Sequence, residues 1–223
     1  MIKNWKKNTI YISIMQLTLL VVNFFLIIII SRKYGAEIYG EYASSKSLSV
    51  LIGTAIVMSL ALVVTKFLAQ NSENSKLMFS NSYYIITRNF FITLLLLFPI
   101  TLLFQRSFSM TALFLIGFVF NEMIHVALAF FQAQGDFVTS SKQIFVRTII
   151  YGIGAWIIVF QGFSIISLIS FQVLMLGIFF IFAHISIPKN NKISQIKSTP
   201  HVRDDLQNSG RKMVLTTFSS ALI

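Results

Sequence analysis

Glu122 and His125 are the residues best placed to do chemistry, because both fall near the middle of an apolar run from Ser109 to Ala133. A charge at the centre of a membrane-spanning helix costs about 2.5–3.5 kcal/mol on insertion scales. The twelve Leu, Ile, Phe and Val of this run return about 0.3–0.6 kcal/mol each, so the helix inserts with its carboxyl in place. Residues three apart stand about 60° apart around a helix, so Glu122 and His125 share a face, and Gln132 continues it. Such a face suits an H+ or Na+ site looking into a cavity, with His125 tuning the Glu122 proton. The alternative is a neutral Glu122 hydrogen-bonded to a neighbouring helix as a packing device.

Lys66, Arg88 and Arg147 form a second set. Each is expected a few residues inside the cytoplasmic end of its own span, so together they would coat the inner mouth of a cavity with positive charge. That mouth suits a phosphate-bearing substrate. Taken singly, each could equally snorkel to the cytoplasmic headgroups. Thr9, Gln16 and Asn23 repeat every seven residues and read as a polar stripe turned toward the bundle. Ser49, Gly53, Gly152 and Trp156 read as close-packing positions, and Pro99 as a helix bend.

The elements that must position these groups are membrane helices. Of 223 residues, 56% are hydrophobic and 11% charged, against about a quarter charged in soluble domains. The 23 Phe and a mean hydropathy of +0.78 leave too little polar surface to clothe a globule in water. A spanning helix needs about 20 apolar residues. The runs at Ile10–Ile30, Ser47–Phe67, Tyr83–Phe104 and Ser109–Ala133 each qualify. Between Arg147 and Lys189 lie 41 residues without Asp, Glu, Lys or Arg, about twice what one span needs. Gln161 and Gly162 break that run into a hairpin of Ile144–Phe160 and Phe163–Ile185.

The expected fold is therefore all-α, a polytopic bundle of six spans over residues 1–187. A basic cytoplasmic linker follows at 188–212, and 213–223 begins a seventh helix that the chain leaves unfinished. Alternating sides place fourteen Lys and Arg with the N-terminus and four (Arg32, Lys33, Lys46 and Arg106) opposite it. Short cytoplasmic loops carry the positive excess, so the N-terminus is expected in the cytoplasm. The net charge of +11 is thus a topology signal, and nucleic acid is not needed as a partner. No phosphate-cradling G-x-x-x-x-G-K-[ST] occurs, nor a zinc-protease, EF-hand or dinucleotide signature. Three scattered His and no Cys make no metal spacing. The chain reads as a non-enzyme without cofactor, drawing on an ion gradient, the membrane potential or its substrate's own gradient.

Ser31 to Gly53, SRKYGAEIYGEYASSKSLSVLIG, carries Arg32, Gly35, Glu37, Tyr39 and Gly40. It resembles the signature of the polysaccharide biosynthesis (O-antigen flippase) family: a basic residue closing helix one, a glycine turn, an acidic residue, Tyr-Gly, and a small-residue-rich helix two. Ala129 to Ile149, AFFQAQGDFVTSSKQIFVRTI, is similar to that family's loop between helices four and five. The resemblance covers essentially the whole chain. It implies the N-terminal lobe of a multidrug, oligosaccharidyl-lipid and polysaccharide exporter, in a bacterial plasma membrane. Such a protein moves a polyprenyl-pyrophosphate-linked oligosaccharide to the outer leaflet by alternating access, often with ion coupling. Arg32, Lys66, Arg88 and Arg147 are the positions the resemblance carries into a cationic substrate cavity.

That family has two lobes, so a chain ending in helix seven is expected to be a fragment, a frameshifted product or a half-transporter that pairs with another chain. Two other functions compete. One is a drug or cation antiporter of the same superfamily, with Glu122 binding the cation. The other is a non-transporting membrane scaffold for glycan-assembly enzymes.

Overall fold

The computed structural model describes residues 5–57, 60–70, 75–103, 107–187 and 200–221. Their regular structure is helical throughout: α1 (Trp5–Val57), α2 (Leu60–Gln70), α3 (Ser75–Leu103), α4 (Phe108–Ala133), α5 (Phe137–Phe160), α6 (Ile165–Ser186) and α7 (Pro200–Ala221). Four helices are long and apolar enough to cross a membrane: Thr9–Thr54 within α1, then α4, α5 and α6. Taken as one bent span, α3 makes a fifth.

Thr9–Thr54 is 46 residues long, about 69 Å if straight and more than twice a bilayer core. It is divided at Gly35, whose φ of 86° and ψ of 166° are not helical. Nothing lies within 4 Å of where a Cβ on Gly35 would be. Glycine is needed here for its backbone conformation and not for space.

Packing fixes the sense of the two halves, 5–34 and 36–57. In the first, Val22 lies against Gly152, and the Tyr34 hydroxyl donates to the Phe163 carbonyl at 2.7 Å. This half therefore runs alongside α5 in the same direction. In the second, Ser49 Oγ donates to the Thr111 carbonyl at 2.9 Å, and Gly53 sits beneath the Phe118 ring, so it runs with α4. Because α4 runs with α6 (Gly117 by Val173, the Phe120 ring tilted against Phe180) and α5 against it (Tyr151 by Gln172, Gly154 under Phe171), the chain reverses at Gly35.

The expected hairpin is found. Gln161 and Gly162 (φ 78°) turn the chain, and Ser164 caps α6 by accepting from the Ser167 amide at 3.2 Å. Asp136 caps α5 in the same way from Thr139, so α5 begins at Phe137 and not at Ile144. α3 bends by 49° between Leu77–Leu95 and Leu97–Leu103. Pro99 accounts for the bend, since its ring opposes the carbonyl of the residue four before it, Leu95. The second run expected as a span is divided between 36–57 and α2, with residues 58–59 outside the described part.

The core forms two clusters around α4. One holds Val63, Val64, Phe79, Ile85, Ile86, Leu115 and Leu128, closed by Leu206 of α7. The other holds Leu26, Ile30, Tyr42, Phe114, Val159 and Leu168 at the end where Gly35 and the 161–162 turn meet. α7 runs unbroken from Pro200 through the boundary expected at 212–213. The earlier part of the expected linker, with Lys189, Lys192 and Lys197, lies outside the described residues. The small residues act as packing positions: a Cβ on Gly53 would meet the Phe118 ring, on Gly152 the Val22 Cγ1 at 2.9 Å, and on Gly154 the Phe171 ring.

Candidate functional site

A cavity of about 330 Å³ opens between both halves of α1 and helices α4, α5 and α6. Its apolar walls include Leu19, Val22, Phe114, Phe118, Ile169 and Leu176. Its polar lining is Asn23, Lys46, Ser49, Asn121, Arg147, Thr148, Tyr151 and Gln172. That lining holds two cations, three side-chain amides and, among the described residues, no carboxylate.

Helix bounds place these groups in depth. Lys46 is at the middle of 36–57, Asn121 at the middle of α4, and Arg147 with Thr148 at the middle of α5. α4 and α5 run antiparallel, so Asn121 and Arg147 share a level halfway through the bundle, whereas Lys46 stands three residues nearer the Gly35 end than Ser49, which bonds to Thr111 near the start of α4. The Tyr151 hydroxyl donates to Gln172 Oε1 at 3.3 Å, and the Tyr42 hydroxyl lies beside it. Lys46 Nζ stands 6.0 Å from the centre of the Tyr42 ring, a cation–π distance. Arg147 keeps a buried Nη1 without a hydrogen-bond partner.

A guanidinium with a buried, unused donor, a lysine and several amides are donors of the kind that suit an anion. A half-buried guanidinium without a close counter-charge is costly, and an anionic guest removes that cost, while Lys46 is exposed at the cavity's edge. Amides and hydroxyls can donate to the remaining oxygens of a phosphate or carboxylate. A second, open groove on the second half of α1, lined by Ser47, Val50, Leu51 and Thr54, shares Lys46 and Val50 with the cavity. The site is therefore reached from the side of the bundle.

Of the four cations expected to share a cavity, Arg147 alone lines it. Arg32 is exposed in the last turn before Gly35, whereas Lys66 is exposed on α2, beside the cluster at the other end. Arg88 on α3 turns its Nε and Nη2 to Asn89 Oδ1 of the same helix, at 3.3 and 3.1 Å. Arg147 also lies deeper than expected, because α5 starts ten residues before it.

Glu122 and His125 are half-buried on α4 beside the cavity wall, and neither lines it. Both feel the charge of Arg147. Asn121 Nδ2 is 3.5 Å from Glu122 Oε1. Gln132 leaves the group, donating to Ser140 Oγ at 3.1 Å. The stripe of Thr9, Gln16 and Asn23 lies on the exposed side, because Met15, Leu26 and Ile30 take the inward face; of the stripe, Asn23 reaches the cavity.

Sequence reading missed Lys46, Asn121 and Gln172 as partners of Arg147. The signal was present in part: Asn121 and Arg147 are polar residues about equally far from a chain reversal, and antiparallel helices bring such positions to one level. Compared with known protein families, curated proteins and solved structures, the chain matches none.

Proposed function

We propose that this chain is a six-span membrane lobe that binds the phosphate-bearing head of a lipid-linked substrate and serves its transfer from the cytoplasmic to the outer leaflet. The observation that carries the reading is the cavity lined by Lys46 and Arg147, with no carboxylate among the described residues that line it. In the six-span arrangement the two halves of α1 are separate crossings, α2 completes the second, and α3 is the third, bent at Pro99. The N-terminus is cytoplasmic, from the distribution of Lys and Arg.

The chemistry points to an amphiphile. A phosphate or diphosphate engages Arg147 and Lys46, the amides of Asn23, Asn121 and Gln172 take polar groups next to it, and the groove beside Val50 and Leu51 leaves an apolar tail in lipid. The cavity volume is at the low end for small-ligand pockets, about 300–1,000 Å³, so it holds a headgroup and not a whole oligosaccharide. The resemblance at residues 31–53 and 129–149 supports a polyprenyl-pyrophosphate-linked repeat unit of a bacterial surface polysaccharide as that amphiphile. Alternating access then requires a second lobe or a partner chain against which this one moves.

The test is carried out in bacteria depleted of their own oligosaccharide-lipid flippase. Together with its second lobe or partner chain, the protein is expected to relieve the build-up of cytoplasm-facing lipid-linked repeat units. Arg147→Ala is expected to abolish that relief at equal membrane abundance. Equal relief by Arg147→Ala would remove the cavity from the mechanism.

A further inference from the structure

Glu122 and Arg147 are an acidic and a basic residue at the midpoints of α4 and α5. They act on each other electrostatically, yet they do not meet. The ion pairs that close to within 4.0 Å among the described residues, His201 with Asp205 and Arg203 with Asp204, are both on α7. Arg147 instead faces the cavity and keeps an unused Nη1. Glu122 stays behind the wall, one residue from the cavity-lining Asn121.

This spacing differs from both simpler arrangements. A bidentate Arg–carboxylate pair at hydrogen-bond distance would use up the guanidinium donors that a phosphate needs. A guanidinium with no carboxylate nearby would be an uncompensated charge in the membrane interior. Held beyond contact, Glu122 offsets the charge of Arg147 without occupying its donors.

We propose that Glu122 is a built-in counter-anion that competes with the cavity's anionic ligand for Arg147, holding affinity low enough for the ligand to leave. The inference rests on the reading of the cavity as an anion site and adds what sets its strength. A transport site has to release what it binds, and a carboxylate that repels the guest while compensating the host in its absence serves that end. The other charged groups near the site do not duplicate this role: Lys46 and Arg147 are both cations, and His125 on α4 carries no negative charge in either state.

The test uses the full chain in lipid nanodiscs with inorganic diphosphate as probe, comparing wild type, Glu122→Gln, Arg147→Gln and the double variant. Glu122→Gln is expected to bind diphosphate about tenfold more tightly and to release it more slowly, as follows from removing a like charge near the guest. In the Arg147→Gln background the same change is expected to have a much smaller effect. Unchanged or weakened affinity in Glu122→Gln would overturn the competition. Thermal unfolding without ligand reads the pairing separately. Glu122→Gln is expected to lower the melting temperature of the wild type, and the double variant to recover it. Strictly additive melting shifts would overturn the pairing. Absence of diphosphate binding in wild type and Glu122→Gln alike would overturn the anion reading of the cavity together with the competition, while the melting cycle still decides the counter-charge.

Discussion

Part of α4, with Leu115, Ile124, Ala127 and Leu128, is sealed in a core cluster with Val63, Val64, Ile85 and Ile86 of α2 and α3. Another part, with Phe114, Gly117, Phe118 and Asn121, walls a cavity whose polar groups come also from four further segments. One helix thus carries a dry interface and a wet one. The difference shows where a membrane bundle can accommodate charge. The sealed side holds the helices in place by packing, which is what positions Asn121 and Arg147 at a shared level on the open side. Glu122 and His125 stand between the two, half-buried and in the field of Arg147.

The comparison breaks if changes on the two sides have the same consequences. The largest effect is expected from Leu128→Ala on the sealed side, where the side chain is fully buried. It is expected to lose about 2–5 kcal/mol of stability while leaving diphosphate affinity nearly unchanged in the protein that remains folded. Thermal unfolding and equilibrium binding on the same sample check both halves of that statement.

Gly53→Ala sits on the boundary. Its new Cβ meets the Phe118 ring, which also walls the cavity. Overpacking of this kind costs about 1–3 kcal/mol, and the displaced ring has the cavity to move into, so stability and anion affinity are expected to fall together. Loss of stability with unchanged affinity would show that the two sides are better insulated than this packing implies.

Lys46→Gln on the open side is expected to do the reverse of Leu128→Ala. Diphosphate affinity falls about tenfold, near 1.4 kcal/mol, and the melting temperature holds, because Lys46 is exposed. The smallest effect is expected from Tyr34→Phe. It removes the 2.7 Å bond that ties the Gly35 reversal to the 161–162 turn, worth about 0.5–1.5 kcal/mol, with no change in binding. Hydrogen exchange at residues 34–40 is the readout.

Much of the helical layout could be read from the sequence, because apolar run length is a strong signal and Gln161–Gly162, Pro99 and the α4 boundaries are local features. The reversal at Gly35 was expected only as a short turn, and the start of α5 was placed late, because the Asp136 cap that begins it lies among polar residues with no apolar periodicity. The site was legible only in part. Arg147 stood out as a charge in an apolar run. Lys46 did not, since it lies within the serine-rich segment ASSKSLS and reads as the end of a loop; only after the helix is seen to begin near residue 36 does it fall inside a helix that faces the cavity. Asn121 was overshadowed by Glu122 next to it. The grouping of Arg32, Lys66 and Arg88 with Arg147 relied on counting positions from span ends, and packing separates Arg32 and Lys66 to opposite ends of the bundle.

The proposed anion site is the cavity that Lys46 and Arg147 both line. Its most direct measurement is equilibrium binding of a short polyprenyl diphosphate to the full chain in nanodiscs, wild type against the Lys46→Gln, Arg147→Gln double variant. Saturable binding by the wild type, lost in a double variant whose cooperative thermal unfolding shows it to be folded, is the expected result. Equal binding by both proteins would contradict the account and place the ligand, if any, elsewhere on the molecule.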